Sequence, residues 1–261
     1  MDNREIQKLR EDYSKNTLDK ADVHADPIQQ FRNWLSESIK AKLPEPNAMT
    51  LSTVDSENKP HSRIVLLKGI EKKGFVFYTN YKSDKGQEIE GNPNVALCFL
   101  WKELERQVRI EGVAKKISTE NSEEYFMSRP FKSQIGALAS EQSSEIESRE
   151  ILEDTFKKLT ERYSTGNVPM PEHWGGYIVE PTAVEFWQGR SSRLHDRIKF
   201  EKENNSWIFK RLAPQKCQRL SNEDLMKCEN SKTYSSGQTI IVPIHFLKEL
   251  GIKRSLRMII P

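Results

Sequence analysis

The sequence lacks the features that mark membrane-spanning, secreted and zinc-binding proteins. No stretch of the 261 residues approaches the roughly 18 consecutive apolar residues that a membrane-spanning helix needs. The first residues, MDNREIQKLREDY, contain no apolar segment of the kind found in a signal peptide. The three cysteines (Cys98, Cys217 and Cys228) form no CxxC pair, and the five histidines have no zinc-ligand spacing. We therefore expect a cytoplasmic protein without disulfides or a structural metal.

The larger part of the chain also has almost no net charge. The formal net charge is +3, but residues 215–261 contain eight Lys and Arg against four Asp and Glu. Residues 1–214 contain 33 basic and 34 acidic residues and are close to neutral. This balance does not favour general binding of the larger part to nucleic acid.

An amphipathic helix is predicted after a polar N-terminal segment. Asp26 and Pro27 are typical of an N-cap and a first helical position, and the helical spacing continues to about Lys42. Its apolar face is predicted to comprise Phe31, Trp34, Leu35 and Ile39. Residues 1–25 are predicted to form a mobile arm.

From Asn47 onward, apolar and polar residues alternate, which predicts β-strands. The predicted strands are Ala48–Val54, Ser62–Gly69, Gly74–Asn80, Val95–Trp101 and Gln107–Lys116. The predicted helices are Ser83–Glu90, Thr119–Met127, Ser133–Ser140 and one that starts at Ser148. Two further strands are expected after Trp174, followed by a hairpin that closes at Trp207–Arg211. Five successive strands with short links favour an antiparallel barrel within an α+β fold.

One segment concentrates charge and aromatic residues: Glu185–Arg197, EFWQGRSSRLHDR. Its Gly-Arg-Ser-Ser centre predicts a loop between a strand that ends at Trp187 and another that starts at Leu194. On an extended backbone, Arg193, His195 and Arg197 would face the same side, where an anionic or electron-rich ligand would relieve their repulsion. A solvated edge strand with surface ion pairs explains the spacing equally well.

Three other cationic motifs are ambiguous when taken singly. The segment Arg63–Lys68, RIVLLK, fits a buried strand with a cation at each end as well as a ligand site. Lys82–Lys85 precedes a helix whose free N–H groups suit a phosphate. Tyr125, Arg129 and Ser133 recur at steps of four and suit either a second phosphate or a capped helix end.

Taken together and in this order, the motifs resemble those of the pyridoxine (pyridoxamine) 5′-phosphate oxidase family over about Arg10 to Pro214. The motifs that carry the resemblance are RIVLLK, FYTN, SDK, ERQVR, YFMSRP, SQIGA, EQSS, WGGY, EFWQG, RLHDR and RLAP. The resemblance implies an α+β split β-barrel, Greek-key-like, with FMN bound at the interface of a homodimer. It also implies oxidation of pyridoxine or pyridoxamine 5′-phosphate to pyridoxal 5′-phosphate with dioxygen, releasing hydrogen peroxide.

The resemblance further implies which residues contact the ligands. The implied FMN contacts are Arg63, Ile64, Val65, Leu66, Lys68, Tyr78, Thr79, Lys85, Gln107, Gln142, Ser143, Trp187 and Arg197. The implied substrate contacts are the arm residues Arg10, Glu11, Asp12 and Tyr13 with Lys68, Tyr125, Arg129, Ser133, Arg193, Leu194 and His195. Arg193 over the substrate ring and His195 as proton acceptor or relay are the expected catalytic residues. Many members have arginine where this chain has Asp84, which we expect to point away from the phosphate.

Three segments are thus predicted: an arm (1–25), an FMN-binding split-barrel oxidase domain (26–214) and a C-terminal extension (215–261). The stretch SSGQTIIVPIHFLKELGIKRSLRMII in the extension weakly resembles swapped-hairpin DNA-binding domains. Two other functions therefore stay open, a non-catalytic carrier of flavin or pyridoxal phosphate and a DNA-binding role of the extension. The complete RLHDR and YFMSRP motifs favour the oxidase, because a carrier needs no second phosphate site beside the flavin.

Overall fold

The computed structural model describes residues 2–9, 11–204 and 206–214. The helices are α1 (Asn3–Lys8), α2 (Pro27–Lys40), α3 (Asp84–Gly91), α4 (Thr119–Ser128), α5 (Phe131–Ala139) and α6 (Arg149–Arg162). The strands are β1 (Ala48–Val54), β2 (Pro60–Leu66), β3 (Gly69–Ile70), β4 (Phe75–Asn80), β5 (Asn94–Trp101), β6 (Arg106–Lys116), β7 (Trp174–Gln188), β8 (Asp196–Glu203) and β9 (Ser206–Leu212). The predicted C-terminal extension and its proposed DNA-binding role lie outside the described residues.

The nine strands form one antiparallel sheet that curls into a barrel. Neighbouring strands follow the order β2-β1-β5-β6-β7-β4-β3, with β8 on β7 and β9 on β8. β2 and β3 stand at opposite ends of this order, yet only Leu67 and Lys68 separate them in sequence. The N–H of Leu67 donates to Asn47 O (2.8 Å), whereas the N–H of Lys68 donates to Val76 O (2.8 Å). The chain thus joins the two edges of the sheet at this point, which confirms the predicted α+β antiparallel barrel.

β7 is the longest strand and replaces the two strands predicted after Trp174. It spans Trp174–Gln188 and pairs with β4 near its start, with β8 near its end and with β6 from Tyr177 onward. The pairing with β6 shifts register at Glu111/Gly112, opposite Pro181. A Cβ on Gly112 would lie 2.4 Å from Glu180 O, so glycine allows the close approach of the strands there. The proline is therefore accommodated at an irregularity without ending the strand.

The barrel core is aromatic, and α2 packs against it. Phe31 is fully buried and lies 4.9 Å from Phe75 and 4.8 Å from Phe99, measured between ring centroids. Asp26 accepts a hydrogen bond from the N–H of Ile28 (2.9 Å), which confirms the predicted N-cap. The predicted apolar face was wrong at its last position. Ile39 is 57% exposed, and Ser38 is buried instead, with its hydroxyl donating to Trp34 O.

The segment before β8 also differs from the prediction. The strand was expected to start at Leu194, but it starts at Asp196. Ser192 and Arg193 adopt left-handed backbone conformations (φ 56° and 60°) in a short 3-10 turn, Ser191–Arg193. Because of this turn, Arg193 and His195 do not share a strand face with Arg197, and that expectation was wrong.

The N-terminal arm contacts the barrel domain at several points. Leu18 is buried, and its N–H donates to Asp196 Oδ2 (3.1 Å). The mobility of the arm stays a prediction. Within the described ranges, no helix is both long enough and apolar enough to cross a membrane.

Candidate active site

A cavity of about 820 Å³ lies beside the β2–β3 junction. Its walls are the end of β2, β4, the first turn of α3, the α4–α5 connection and the loop after α5. Ten of the implied FMN contacts line it: Arg63, Ile64, Val65, Leu66, Lys68, Tyr78, Thr79, Lys85, Gln142 and Ser143. Four implied substrate contacts also line it: Lys68, Tyr125, Arg129 and Ser133. Residues from five separate parts of the sequence therefore meet in one space.

The first turn of α3 forms a cationic end of this cavity. Lys85 is buried, and its Nζ lies 3.1 Å from Ser83 Oγ. Burial, and then the nearby Arg63, lower the pKa of Lys85, whereas Asp84 and Glu88 act in the opposite direction. These four charged groups are close enough to influence one another.

Asp84 is among the residues that line the cavity, and its side chain is exposed; the expectation that this side chain points away from the phosphate stays a prediction. It is the first residue of α3, and its N–H donates to Ser143 Oγ (3.3 Å) across the cavity wall. This backbone contact links the start of α3 to the loop after α5.

Another part of the cavity wall is built from stacked aromatic rings and one arginine. The rings of Tyr78 and Tyr125 are 3.9 Å apart and nearly parallel (16°), and Trp174 stacks on Tyr78 at 5.4 Å. The guanidinium of Arg129 lies 4.8 Å from the centre of the Trp174 ring. Trp174 was not predicted as a site residue, although the WGGY motif that it begins was a signal of its importance.

Arg129 has unused capacity to bind an anion. Among the described residues it forms no ion pair, and its Nη1 is one of two buried side-chain nitrogen or oxygen atoms without a hydrogen-bond partner. Burial lowers the pKa of Arg129, and Tyr125 acts in the opposite direction. A buried guanidinium atom without a partner is unfavourable until a ligand supplies an acceptor.

Three other implied FMN contacts form a row across neighbouring strands, away from the cavity lining. Gln107 of β6 lies opposite Trp187 of β7, which lies opposite Arg197 of β8. Arg197 donates to both carboxylate oxygens of Glu185 (2.9 and 3.0 Å), and this pairing raises the pKa of Arg197. The sequence did not indicate Glu185 as the partner, because their proximity arises only when β7 and β8 pair.

The implied substrate loop and the arm meet next to this row. The His195 ring lies 4.6 Å from Trp187 and 5.9 Å from Tyr13. His195 Nδ1 accepts a hydrogen bond from the N–H of Arg190 (3.1 Å). Burial, and then Arg193, lower the pKa of His195, whereas Asp196 opposes them.

The remaining implied substrate contacts have different surroundings. Asp12 Oδ1 accepts a hydrogen bond from the N–H of Ser192 (3.3 Å), which ties the arm to the loop. Leu194 is 58% exposed. Glu11 forms an exposed ion pair with Lys102 (3.6 Å). Arg10 lies outside the described residues.

Two family models match this chain. The model described as pyridoxamine 5′-phosphate oxidase matches residues 35–163, and the one described as pyridoxine 5′-phosphate oxidase C-terminal dimerisation region matches residues 174–214. The chain belongs to the pyridoxine/pyridoxamine 5′-phosphate oxidase family. The resemblance found in the sequence is thereby confirmed.

Curated relatives of the family cover the same part of the chain. A pyridoxine/pyridoxamine 5′-phosphate oxidase from Leptospira interrogans is 55% identical over 210 residues, which is 80% of this chain and 98% of the relative. The enzyme of that name from Burkholderia thailandensis is 54% identical over 209 residues, 79% of this chain and 97% of the relative.

A solved structure of PhzG from Burkholderia lata, in complex with tetrahydrophenazine-1-carboxylic acid, matches with a TM-score of 0.73 and 29% identity. The match covers 77% of this chain and all of that one.

Five of the implied site residues lie in the part of the chain that matches the dimerisation region of the family. Trp187, Arg193, Leu194, His195 and Arg197 all fall in residues 174–214, the region named for dimerisation. None of them lines the cavity. The structure therefore brings the implied residues together as two groups, a cavity group and a second group that comprises Gln107, these five residues and the arm.

Proposed function

We propose that this chain is an FMN-dependent oxidase that converts pyridoxine 5′-phosphate or pyridoxamine 5′-phosphate to pyridoxal 5′-phosphate. Dioxygen is the electron acceptor, and hydrogen peroxide is released. The observation that carries the proposal is the unpartnered, buried Nη1 of Arg129 in a cavity that Lys85 and Arg63 also line. Cations on different elements of the cavity wall suit two phosphates, one from the cofactor and one from the substrate.

The cavity fits FMN in size and in donor chemistry. Its volume of about 820 Å³ is in the range of cofactor sites. Lys85, Arg63 and the first turn of α3 would hold the FMN phosphate. Thr79 and Gln142, whose side-chain oxygens lie 3.5 Å apart, present hydroxyl and amide groups to the polar edge of a flavin. Arg129 and Lys68 are then available for the substrate phosphate.

A homodimer would complete the site. The second group carries the expected catalytic residues, yet it does not line the cavity of its own subunit. We propose that the second group of one subunit covers the cavity of its partner, which explains why the two groups are separate in one chain.

Bound FMN would supply the two-electron acceptor, and dioxygen would take the electrons onward. The protein's own residues would align the substrate and manage its proton. Because His195 Nδ1 accepts the N–H of Arg190, the neutral ring carries its proton on Nε2 and offers a donor to a substrate oxygen. For His195 to accept the hydroxyl proton, Nδ1 must first release Arg190, and this role stays a prediction.

The direct test is to purify the protein, record its visible spectrum and measure peroxide with each phosphorylated substrate. Unphosphorylated pyridoxine is the matched control for the second phosphate site. A yellow dimer that forms peroxide only with the phosphorylated substrates is expected. Bound flavin without peroxide would favour the carrier function, and a colourless monomer in excess FMN would refute the cofactor.

The acid limb of kcat/KM for pyridoxine 5′-phosphate should lie below pH 6.5, the ordinary pKa of histidine. Burial and Arg193 lower the pKa of His195, so the ring stays neutral and keeps its bond to Arg190 until the pH falls further. A pH profile at saturating FMN checks this, and His195→Gln should lose that limb. A midpoint above pH 6.5 in the unmodified protein would contradict it.

A further inference from the structure

Arg63 is already engaged by a carboxylate before any ligand binds. Its Nη2 lies 3.0 Å from Glu88 Oε2, and its Nη1 contacts the hydroxyl of Thr53. The Glu88 side chain is only 9% exposed, and the same carboxylate also contacts Thr53. Its other oxygen lies 3.8 Å from the His61 ring. The guanidinium is therefore both oriented and neutralised.

Glu88 belongs to the second turn of α3, directly behind the turn that carries Lys85. Arg63 and Lys85 are the two cations at this end of the cavity, and Asp84 and Glu88 are the two neighbouring carboxylates. The two carboxylates thus offset part of the positive charge of Arg63 and Lys85. By contrast, Arg129 in the α4–α5 connection lies over the Trp174 ring, which orients a cation without cancelling its charge.

We propose that Glu88 is an internal counter-ion of Arg63 that competes with the flavin phosphate and so sets how tightly this chain holds FMN. The inference rests on the proposed function, since it takes FMN as the ligand. When the phosphate approaches, Arg63 must share its charge between two anions, and the nearby carboxylate repels the phosphate. A second reading is that the Arg63–Glu88 pair only fastens α3 to the sheet.

The two readings differ in whether Glu88 acts on the phosphate or on the fold. Glu88→Gln removes the charge but keeps an oxygen that can accept from Arg63 Nη2. Riboflavin shares the flavin ring and lacks the phosphate. If Glu88 is a counter-ion, Glu88→Gln should change the affinity for FMN and leave the affinity for riboflavin unchanged. If the pair only stabilises the packing of α3 on the sheet, Glu88→Gln should change both affinities or only the thermal stability.

The experiment is a fluorescence titration of the apoprotein with FMN and, separately, with riboflavin. Glu88→Gln should tighten FMN binding about five- to thirty-fold, as expected when one like charge is removed near a partly solvated phosphate. Riboflavin affinity should stay within about two-fold, and the gain for FMN should shrink in high salt. Glu90→Gln, an exposed carboxylate on the same helix, is the matched control and should change neither.

A double-mutant cycle isolates the pair. In an Arg63→Gln background, Glu88→Gln should lose most of its effect on FMN affinity. If Glu88→Gln does not fold, as judged by its melting curve, Glu88→Asp draws the charge back from Arg63 and should give a smaller gain. Unchanged or weaker FMN binding in the folded variants, or equal shifts for both flavins, would overturn the proposal. Absence of FMN binding in the unmodified protein would instead sink the proposed cofactor, and the role of Glu88 with it.

Discussion

Replacing Arg129 with alanine should raise the KM for pyridoxine 5′-phosphate by roughly ten- to a hundred-fold and change FMN affinity little. Charge-assisted hydrogen bonds contribute about 1.5–3 kcal/mol each, and about 1.4 kcal/mol corresponds to a factor of ten. The buried Nη1 of Arg129 has no partner among the described residues, so a substrate phosphate would gain a bond that replaces nothing in the protein. Steady-state kinetics at saturating FMN measure the effect.

Lys132→Ala is the matched control for Arg129. Lys132 is an exposed cation three residues further along and does not line the cavity, so its removal should leave KM unchanged. Equal kinetics for Arg129→Ala and the unmodified protein would move the substrate phosphate to another place.

The second group should divide into two classes of variant. Arg193→Ala and His195→Ala should retain the yellow flavin and lower kcat/KM by about a hundred-fold or more, because they alter the loop that would lie over the substrate. Arg197→Ala should weaken flavin retention first, with activity partly restored by excess FMN. It should also lower the free energy of unfolding by about 1–3 kcal/mol, because the buried Glu185 loses the nearer of its two arginine partners.

Lys199→Ala is the control on the same strand face. Lys199 lies two residues beyond Arg197 and forms an ion pair with Glu201 (3.0 Å). Its replacement should change neither flavin retention nor kcat/KM. Mixing Arg129→Ala with His195→Ala subunits gives a further check. If the two groups meet across the dimer, mixed dimers contain one intact site and should regain part of the activity. Three variants with full flavin and full activity would refute the assignment of this group.

The barrel could be predicted because its strands alternate clearly. β1 begins and ends where the pattern placed it, at Ala48 and Val54, and its buried positions alternate strictly. The same reasoning failed at Ser192 and Arg193, because left-handed backbone conformations leave no periodic signal. Sequence reasoning also predicted two strands where the structure has the single strand β7. Pro181 is accommodated within β7 because it lies opposite Gly112 of β6, which is far away in the sequence.

The chemistry of the site was more predictable than its assembly. The residue types around Arg63, Arg129 and His195 indicated two anion sites and a titratable group. Sequence order could not show that His195 lies apart from the cavity, because this depends on how β6, β7 and β8 pair. Glu88 was missed for a similar reason, since a glutamate on a polar helix carries no mark of the arginine that it meets.

The junction at Leu67 and Lys68 has a consequence for how the folded state opens and closes. Residues on both sides of this junction, from β2 and from β4, line the cavity, so a ligand there binds only the closed barrel. Occupancy at a hundred times the dissociation constant would add about 2.7 kcal/mol to closure through mass action. The amide hydrogens of Leu67 and Lys68 would then exchange with solvent more slowly as FMN is added. Their exchange rates therefore measure how often the two edges of the sheet separate at this junction.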